Sequence, residues 1–472
     1  MRIVHVSAEF APIAKAGGLG EVLVGLAREC TKQKENVEVI LPKYSSIDMG
    51  KLSSVKMEVP DFKCWEKGNL QPNAVWSATC EEVTLKLIDV RHPSGYFHRG
   101  QIYGCQDDVA RFLYFSRAVC EYLKLRSEKI DVLHLHDWHV APIALLARDL
   151  FNLPIGAIVL TIHNAEYQGQ CAHWDLDAIG LNGLKYQTKE LLQDPLHPES
   201  LNLLKGGIVY ANWVTTVSPT YAKELLTVEL GGNLQPTFFK YRKKFSGILN
   251  GLDLTLWDPG YKKGDRIETI YVVKKKAKEK LCKQFALVPT SNPWVGSITR
   301  LVFQKGPELI EETLCETVRQ KGTFILLASP STPEYQLHFE KLKKRFEPTG
   351  YARLILEYDE ETAHLLYTAL DFLILPSRYE PCGLAQMIAM RHGTIPIARA
   401  TGGHKDTIVD GKTGFLFPDY TSASLSAALQ KGIQEYRTHP DVIEKMILQG
   451  IAIDWSWKKP AQEYLNLYKK LI

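Results

Sequence analysis

One short segment of this 472-residue chain, "KAGGLGEV", combines a cation with glycines that can expose backbone N–H groups. Lys15 precedes Gly17 and Gly18, and an amphipathic helix is predicted to begin near Leu19. Glycines permit a tight turn with open amides, and a helix adds partial positive charge at its amino end. The combination is typical of an anion site, most naturally for a phosphate, although an ordinary glycine turn before a helix explains the same letters.

A second segment, "RLVFQKG", places two cations between a predicted strand and a predicted helix. Arg300 offers a planar fork of donors and Lys305 a compact ammonium. Such a pair suits a diphosphate leaving group, which gains negative charge as its bond breaks. Solvated surface charge is the alternative interpretation.

The third segment, "SRYEPCGL", places Glu380 just before a turn that opens a predicted helix. The amides of Cys382, Gly383 and Leu384 can face an anion there. A carboxylate among sugar hydroxyls accepts hydrogen bonds and stabilises developing positive charge. The alternatives are a helix N-terminal charge for Glu380 and, preferred over a nucleophile, a small buried residue for Cys382.

Histidines are concentrated in two further segments, "DVLHLHDWH" and "TIHN". His134, His136, His139 and His163 have no spacing that fits a zinc or iron ligand set, so we expect hydrogen-bonding histidines and no metal. The nine cysteines contain no CxxC pair, which predicts neither a disulfide framework nor a zinc site.

These segments follow short apolar runs that alternate with helix-period stretches along nearly the whole chain. Continuously apolar strands separated by helices predict parallel sheets covered on both faces, and hence a doubly wound α/β fold. In such sheets the loops at the carboxyl ends of the strands form the ligand crevice. A second glycine pair in "ATGGHKD" stands in the same strand-to-helix context, so two related halves are predicted to face a central cleft.

The alternation pauses once, which sets the predicted domain boundaries. We expect a first domain over 1–245, a linker over 246–263, a second domain over 264–455 and a C-terminal helix over 456–472. The polar, aromatic stretch from Cys171 to Ser200 is interpreted either as a mobile cover or as a surface insertion.

Composition narrows the class of protein. The net charge is +4 without a polybasic tract, which argues against nucleic acid as a partner. No apolar run reaches the length of a membrane span and the amino terminus has no signal-peptide pattern, so we expect a cytoplasmic protein without a membrane partner.

Taken in order, the motifs resemble those of bacterial glycogen synthases and plant starch synthases over essentially the whole chain. They are "KAGGLGEV", "HDWH", "TIHNAEYQG", "GILNGLD", "TRLVFQKG", "YDEETAH", "PSRYEPCGL", "TGGHKDT" and "DWSWKKPAQEYLNLY". The resemblance implies a GT-B glycosyltransferase with two Rossmann-like domains and a C-terminal helix that crosses back to the first. It also implies transfer of glucose from ADP-glucose to the non-reducing end of glycogen or another α-1,4-glucan, with retention of configuration and without a cofactor.

The resemblance also implies roles for single residues. Glu380, His163, Arg300 and Lys305 form the expected catalytic set, with the His163 carbonyl beside the anomeric carbon and both cations at the phosphates. The expected donor-binding residues are Lys15, Gly17, Gly18, Tyr358, Cys382, Gly383 and Leu384, with Tyr358 stacked on the adenine. The expected sugar- or acceptor-binding residues are Glu9, Asp137, Trp138 and Asn164.

Three positions depart from the family pattern. Glu21 stands where an aspartate is common, Ala385 lacks the hydroxyl of some relatives, and His404 replaces a frequent leucine in "TGGL". They leave the choice of nucleotide and the turnover rate open.

Other functions stay under consideration from the sequence. They are a synthase that uses UDP-glucose, a catalytically silent glucan-binding or nucleotide-sugar-sensing protein, and a glucan phosphorylase, for which no clear pyridoxal-phosphate lysine environment is found. A dinucleotide dehydrogenase would suit the fold, but its GxGxxG with a downstream acid is absent from the sequence.

Overall fold

The computed structural model describes residues 1–262 and 264–472 as two compact units. The first contains Met1–Gly251 and Trp457–Ile472, and the second contains Leu252–Ser456. Within the described residues, no helix has both the length and the apolar character that crossing a membrane requires.

The strands are β1 Arg2–Val6, β2 Asn36–Pro42, β3 Ser53–Glu66, β4 Asn69–Cys80, β5 Val83–Val90, β6 Ile130–His136, β7 Ile155–Ile162, β8 Gln170–Cys171, β9 Leu201–Asn202, β10 Trp213–Thr216, β11 Phe245–Gly247, β12 Trp294–Leu301, β13 Thr323–Pro330, β14 Ala352–Ile355, β15 Phe372–Leu375, β16 Ile395–Arg399 and β17 Phe415–Phe417. The helices are α1 Gly18–Lys32, α2 Asp108–Arg126, α3 Pro142–Leu145, α4 His173–Ala178, α5 Gly183–Tyr186, α6 Leu203–Tyr210, α7 Pro219–Glu224, α8 Gln235–Lys240, α9 Ile267–Phe285, α10 Pro307–Arg319, α11 Pro333–Phe346, α12 Glu360–Ala369, α13 Ala385–Arg391, α14 Gly402–Thr407, α15 Ser422–Thr438, α16 Pro440–Ile451 and α17 Lys458–Leu471.

The first unit is built on a nine-stranded sheet in the order β11-β10-β7-β6-β1-β2-β5-β4-β3. Its strands from β11 to β5 are parallel, as their continuously apolar sequences predict. The chain moves from β1 towards β2 on one side and later returns to place β6 on the other. The loops after β1 and β6 therefore flank a topological switch point, where open α/β sheets bind ligands.

The sequence analysis missed the antiparallel extension β5-β4-β3 of this sheet. Its strands are joined by two-residue turns with positive φ, Lys67-Gly68 and Glu81-Glu82. Tight hairpins need such angles and usually obtain them with Asn-Gly or Asp-Gly. The pair Glu81-Glu82 carries no such signal.

The second unit is built on a six-stranded parallel sheet in the order β14-β13-β12-β15-β16-β17. Its switch point lies between β12 and β15, so the loops after these strands are the expected ligand-binding loops. The core between the sheet and its helices is apolar, with Phe324, Leu326 and Phe372 fully buried. The predicted doubly wound α/β fold is thus present in both units.

The segment predicted as a linker, 246–263, is largely packed. The Leu252 amide donates to the Trp455 carbonyl at 2.6 Å, and the Trp257 ring stacks on His364 with centroids 4.4 Å apart. These contacts attach the segment from Leu252 onwards to the second unit, whereas Lys263 lies outside the described residues. The turn residues that suggested a linker therefore form an ordered connection.

Two further segments pack on the first unit. Helix α17 buries Tyr464, Leu465 and Tyr468 against its core, whereas Leu467 is partly buried. The stretch from Cys171 to Ser200 contains α4 and α5, is anchored by the β8-β9 pair and buries Leu176 and Leu192. This stretch is a packed insertion rather than a loose cover.

Candidate active site

The glycine loop after β1 is organised by an internal carboxylate, that of Glu9. One oxygen of Glu9 accepts the amide hydrogens of Ala16 (2.7 Å) and Gly17 (2.8 Å), and the other accepts the Tyr103 hydroxyl at 2.9 Å. The Glu9 residue is 3% exposed. The Gly17 amide, which the sequence led us to expect at the diphosphate, therefore donates to Glu9 in this structure, and Glu9 shapes the loop.

Lys15 lies in the same loop and pairs with the first turn of α1. Its Nζ is 2.5 Å from Oε1 of Glu21, with 31% of the Lys15 side chain and 14% of the Glu21 side chain exposed. A cavity of about 470 Å³ lies beside the loop and is lined by Lys15, Gln101 and Tyr103 among others. The lysine thus borders the cavity while a half-buried carboxylate at the start of α1 pairs with it.

The loops after β6 and β7 are tied together by Asp137. Its backbone is left-handed (φ 62°), and its Oδ1 accepts the His163 amide hydrogen at 2.7 Å. Burial raises the pKa of Asp137 to about 7, although the amides of His163 and Asn164 act in the opposite direction. Asn164 caps its own turn, since its side-chain oxygen accepts the Glu166 amide at 3.0 Å.

Trp138 is a packing residue in this structure. Its ring lies 4.2 Å from the His139 ring and 5.9 Å from the Phe112 ring, measured between centroids, and the residue is 7% exposed. A Cβ on Gly169 would collide with the indole. The expected contact of Trp138 with a sugar stays a prediction.

A chain of three histidines leads from the core to His163. His5 Nδ1 lies 3.1 Å from His136 Nε2, and His136 Nδ1 lies 3.0 Å from His163 Nε2. Burial lowers the pKa of His5 and that of His163 to about 3, and it lowers the pKa of His136 well below its usual value. All three rings are consequently neutral near pH 7, and each donates at one nitrogen.

One histidine nitrogen without a partner indicates in which direction the hydrogen bonds between the three histidines run. Nε2 of His5 is buried and has no partner. A buried N–H without an acceptor is costly, which favours the proton of His5 on Nδ1, donating to His136, which in turn donates to His163. His163 then carries its own proton on Nδ1, where it can donate to a sugar hydroxyl.

His134 connects the histidines to the last helix. Its ring nitrogens lie 2.6 Å from the Tyr468 hydroxyl and 2.6 Å from the Thr161 hydroxyl. Ring nitrogens of His5, His134 and His136 lie within 4.8 Å of one another, close enough to suggest a metal. Each of the three rings also makes hydrogen bonds within the protein, and Nε2 of His5 is the ring nitrogen without a partner among the described residues.

The sequence analysis did not identify His5. Its position could have been found, because β1 pairs with β6 and brings His5 beside His134. His134 and His136, two residues apart, share a face of the sheet with it. Strand pairing, rather than any motif, carries this signal.

The second unit presents its cations on the loop after β12. Arg300 is exposed, and its guanidinium has no partner among the described residues. Lys305 ends a short 3₁₀ turn and donates to Oε2 of Glu380, forming an ion pair. The left-handed Gly306 (φ 67°) then allows α10 to begin where a side chain would strike the Pro376 carbonyl.

Glu380 is nearly enclosed, with 5% of the residue exposed. Its Oε2 accepts hydrogen bonds from Lys305 and from the Ser377 hydroxyl (2.9 Å), and His404 Nε2 stands 4.0 Å from the same atom. Burial alone would raise the pKa of Glu380, but Lys305, His404 and Ser377 together hold that pKa below its usual value. Glu380 is therefore ionised at neutral pH, and Oε1 has no partner among the described residues.

The turn after Glu380 is fixed by hydrogen bonds that its backbone carbonyls accept. The side-chain amide of Gln386 donates to the carbonyls of Cys382 and Gly383, each at 2.9 Å, and Gly383 is left-handed (φ 73°). The Gly403 amide donates to the Glu380 carbonyl at 3.0 Å, so the second glycine pair packs against this turn. Cys382 is 4% exposed, as a small buried residue should be.

The residue expected to stack on adenine lies at the start of α12. Tyr358 is 46% exposed, and the following residue, Asp359, caps the helix through the Thr362 amide at 2.7 Å. Exposed aromatic rings of this kind can stack on flat rings, so the stacking of Tyr358 on adenine stays a prediction.

Comparisons with known protein families and relatives identify the family to which this chain is similar. The profile described as "Starch synthase catalytic domain" matches residues 2–239, and "Glycosyl transferases group 1" matches residues 280–447. A glycogen synthase of Protochlamydia amoebophila is 40% identical over 100% of this chain and 99% of the relative.

Solved structures give the same answer. The catalytic domain of starch synthase IV from Arabidopsis thaliana, bound to ADP and acarbose, is 38% identical with a TM-score of 0.94, covering 100% of this chain and 99% of that one. A sucrose-phosphate synthase from Thermosynechococcus elongatus is similar in fold, with a TM-score of 0.63 at 18% identity over 99% of this chain and 98% of its own. The architecture is that of GT-B glycosyltransferases.

Proposed function

This chain belongs to the glycogen and starch synthase family, and we propose that it transfers glucose from ADP-glucose to the non-reducing end of glycogen or a related α-1,4-glucan. Configuration is retained at the anomeric carbon. The observation that carries the proposal is the Glu380 site, an ionised carboxylate with one oxygen anchored by Lys305 and Ser377 and the other left for a ligand. The plant starch synthase solved with ADP and acarbose supports the choice of nucleotide and of glucan.

The cations of the second unit serve the leaving diphosphate. Arg300 is exposed without a partner among the described residues. Lys305 can approach a phosphate once its ion pair with Glu380 opens. Both stabilise the negative charge that grows on the diphosphate as its bond to glucose breaks. Because these cations supply the charge, the proposed reaction needs no metal and no cofactor, and activity is expected to survive EDTA.

The carboxylate and the neutral imidazole act on the sugar. Oε1 of Glu380 accepts a glucose hydroxyl and stabilises positive charge on the ring, while Nδ1–H of His163 donates to another hydroxyl. Lys15 adds a cation at the donor, Tyr358 stacks on the adenine, and the Cys382–Leu384 turn holds hydroxyls through its amides. A cytoplasmic location fits a nucleotide-sugar donor and is part of the proposal.

Incorporation of radiolabelled glucose into a glycogen primer tests this function. ADP-glucose and UDP-glucose are offered side by side, and we expect faster transfer from ADP-glucose. Faster transfer from UDP-glucose would reassign the donor. Absence of transfer from either donor, with glucan binding retained, would favour the silent glucan-binding protein.

A further inference from the structure

His404 is a buried imidazole beside the catalytic carboxylate. The residue is fully buried, lies on α14 and directs Nε2 towards Oε2 of Glu380 at 4.0 Å. His404 is therefore a titratable group in contact distance of the site that the proposed sugar transfer does not itself use.

The protonation state of the ring is constrained by its other nitrogen. Nδ1 lies 3.1 Å from the Arg399 carbonyl oxygen, an acceptor only, so Nδ1 carries a proton. In the neutral ring, Nε2 is then a bare lone pair, buried and without a partner. It faces a carboxylate oxygen, which is also an acceptor, and only a proton on Nε2 makes this arrangement favourable.

The position of Lys305 determines whether a proton on Nε2 of His404 is favourable. In the structure Lys305 is the cation paired with Glu380, and neutral His404 is tolerated beside it. Movement of the ammonium towards a diphosphate leaves the carboxylate with only the Ser377 hydroxyl. An enclosed carboxylate that loses its cation is strongly destabilised unless another replaces it.

We propose that His404 takes up a proton when the donor's diphosphate draws Lys305 away from Glu380, and that the resulting imidazolium replaces Lys305 as the cationic partner of Glu380. The inference rests on the proposed function, because the diphosphate is what moves Lys305. The proton comes from solvent on donor binding and returns to solvent when the nucleotide leaves and Lys305 pairs again. His404 is thus a positioning residue that acts through Glu380.

The charges around His404 act in the required direction. Burial lowers the pKa of His404 to about 4, Glu380 raises that pKa, and Lys305 lowers it. Withdrawal of Lys305 therefore removes one of the two influences that keep the ring neutral. The other charged neighbours are Arg399, whose guanidinium donates to the Arg378 carbonyl, and Lys405 and Asp406 on the same helix.

Calorimetric titration with ADP-glucose, without glucan, counts the protons that are taken up. Both phosphates of this donor are esterified and do not titrate near neutral pH, so uptake measured in buffers of different ionisation enthalpy reports on the protein. For the native protein at about pH 6.5 we expect net uptake approaching about one proton per donor bound. Donor affinity should fall by up to about tenfold per pH unit as the pH rises from the pKa of His404 in the free protein, about 4, towards its higher pKa in the complex, and should become independent of pH above the latter.

His404→Leu and His404→Gln should both abolish this uptake and flatten the pH dependence of the donor KM. The matched control is His392→Gln. His392 is equally buried and also has an unpartnered Nε2, but Nδ1 of His392 contacts Thr368 rather than the site. The control should keep the native proton count.

The proton counts of the native protein and of the His404 variants decide whether the inference holds. Equal uptake by the native protein and either His404 variant would overturn the inference, as would a native protein that binds donor without uptake. If His404→Leu does not fold, His404→Gln gives the answer. Glucose transfer by the same preparations is scored separately, so an active native enzyme without proton uptake overturns the role of His404 and leaves the proposed function standing.

Discussion

In each unit one lysine of the proposed donor site forms an ion pair with a glutamate, but the two glutamates differ in how deeply they are buried. The Glu21 side chain is 14% exposed and its lysine 31%, whereas the Glu380 side chain is 7% exposed and its lysine 23%. An ion pair that keeps more contact with solvent contributes less and separates more easily, whereas an enclosed carboxylate cannot lose its cation without compensation. The first pair is therefore the weaker restraint, and the second links the cation to the catalytic carboxylate.

Removal of the two carboxylates should give the largest contrast. Glu380→Ala is expected to lower kcat for glucose transfer by about 100- to 1000-fold, the range found when a group that stabilises transition-state charge is lost. Glu21→Ala, which removes the ion-pair partner of Lys15 but no group proposed to touch the reacting sugar, should change kcat by less than about threefold.

Glucan binding by the same proteins separates chemistry from folding. Both variants should retain binding to a glycogen column, and Glu380→Gln, which keeps the shape without the charge, should be nearly as slow as Glu380→Ala. Turnover by Glu380→Ala within tenfold of native would remove Glu380 from the mechanism.

Removal of the lysines should affect stability unequally. Lys305→Ala leaves Glu380 charged and enclosed, and we expect the free energy of unfolding in urea to fall by about 2 to 3 kcal/mol, reduced from the fully buried case because Lys305 keeps partial solvent contact. Lys15→Ala should cost less than about 1 kcal/mol. Lys278→Ala is the matched control, since Lys278 pairs with Asp371 at 2.7 Å with similar exposure but outside the site. It should lose stability while keeping native turnover.

The cost of Lys305→Ala should depend on pH in one direction. In the native protein the pKa of Glu380 is lowered, so its stabilisation is present above the pKa of an unfolded glutamate and is lost in acid. In the variant the lost cation raises the pKa of Glu380 and removes an influence that lowers the pKa of His404, so a proton taken up by either group relieves the buried charge as the pH falls. The stability gap between the native protein and Lys305→Ala should therefore narrow as the pH falls from 7 towards 4, and a constant gap would show that Glu380 is not its source.

In the first unit His163, the residue proposed to bind the sugar, is held by neutral histidine rings rather than by an ion pair. Breaking this histidine chain should therefore lower stability and kcat less than the changes at Lys305 and Glu380. His5→Phe keeps the packing but leaves Nε2 of His136 without its partner, and we expect the free energy of unfolding to fall by about 1 to 2 kcal/mol and kcat by less than tenfold. His139→Phe, a ring replacement in the same core outside the chain to His163, should leave kcat unchanged. Equal losses of kcat in both variants would show that packing, not the hydrogen-bond chain, matters.

Sequence reasoning identified most of the parallel strands, though not β5, β11 and β17, and the loops after β1, β6, β7, β12 and β15, because buried strands and strand-to-helix turns leave local signals. It could not show that Glu9 would occupy the Gly17 amide, since that contact depends on the path of the loop. Nor could it show that His404 faces Glu380 across two loops. Residue types are local properties, whereas partners are decided by tertiary packing.

The smallest expected effect concerns the length of the Glu21 side chain. Glu21→Asp shortens the carboxylate by one methylene, which weakens its contact with Lys15 (now 2.5 Å) and leaves the ammonium freer to meet a phosphate. The KM for ADP-glucose should fall about twofold to threefold with kcat unchanged, because an ion pair that keeps solvent contact contributes under about 1 kcal/mol. Glu29→Asp makes the same change on α1 away from Lys15 and should alter neither constant. A fall in kcat for Glu21→Asp would mean that Glu21 does more than restrain Lys15, and the contrast with Glu380 would then be one of degree.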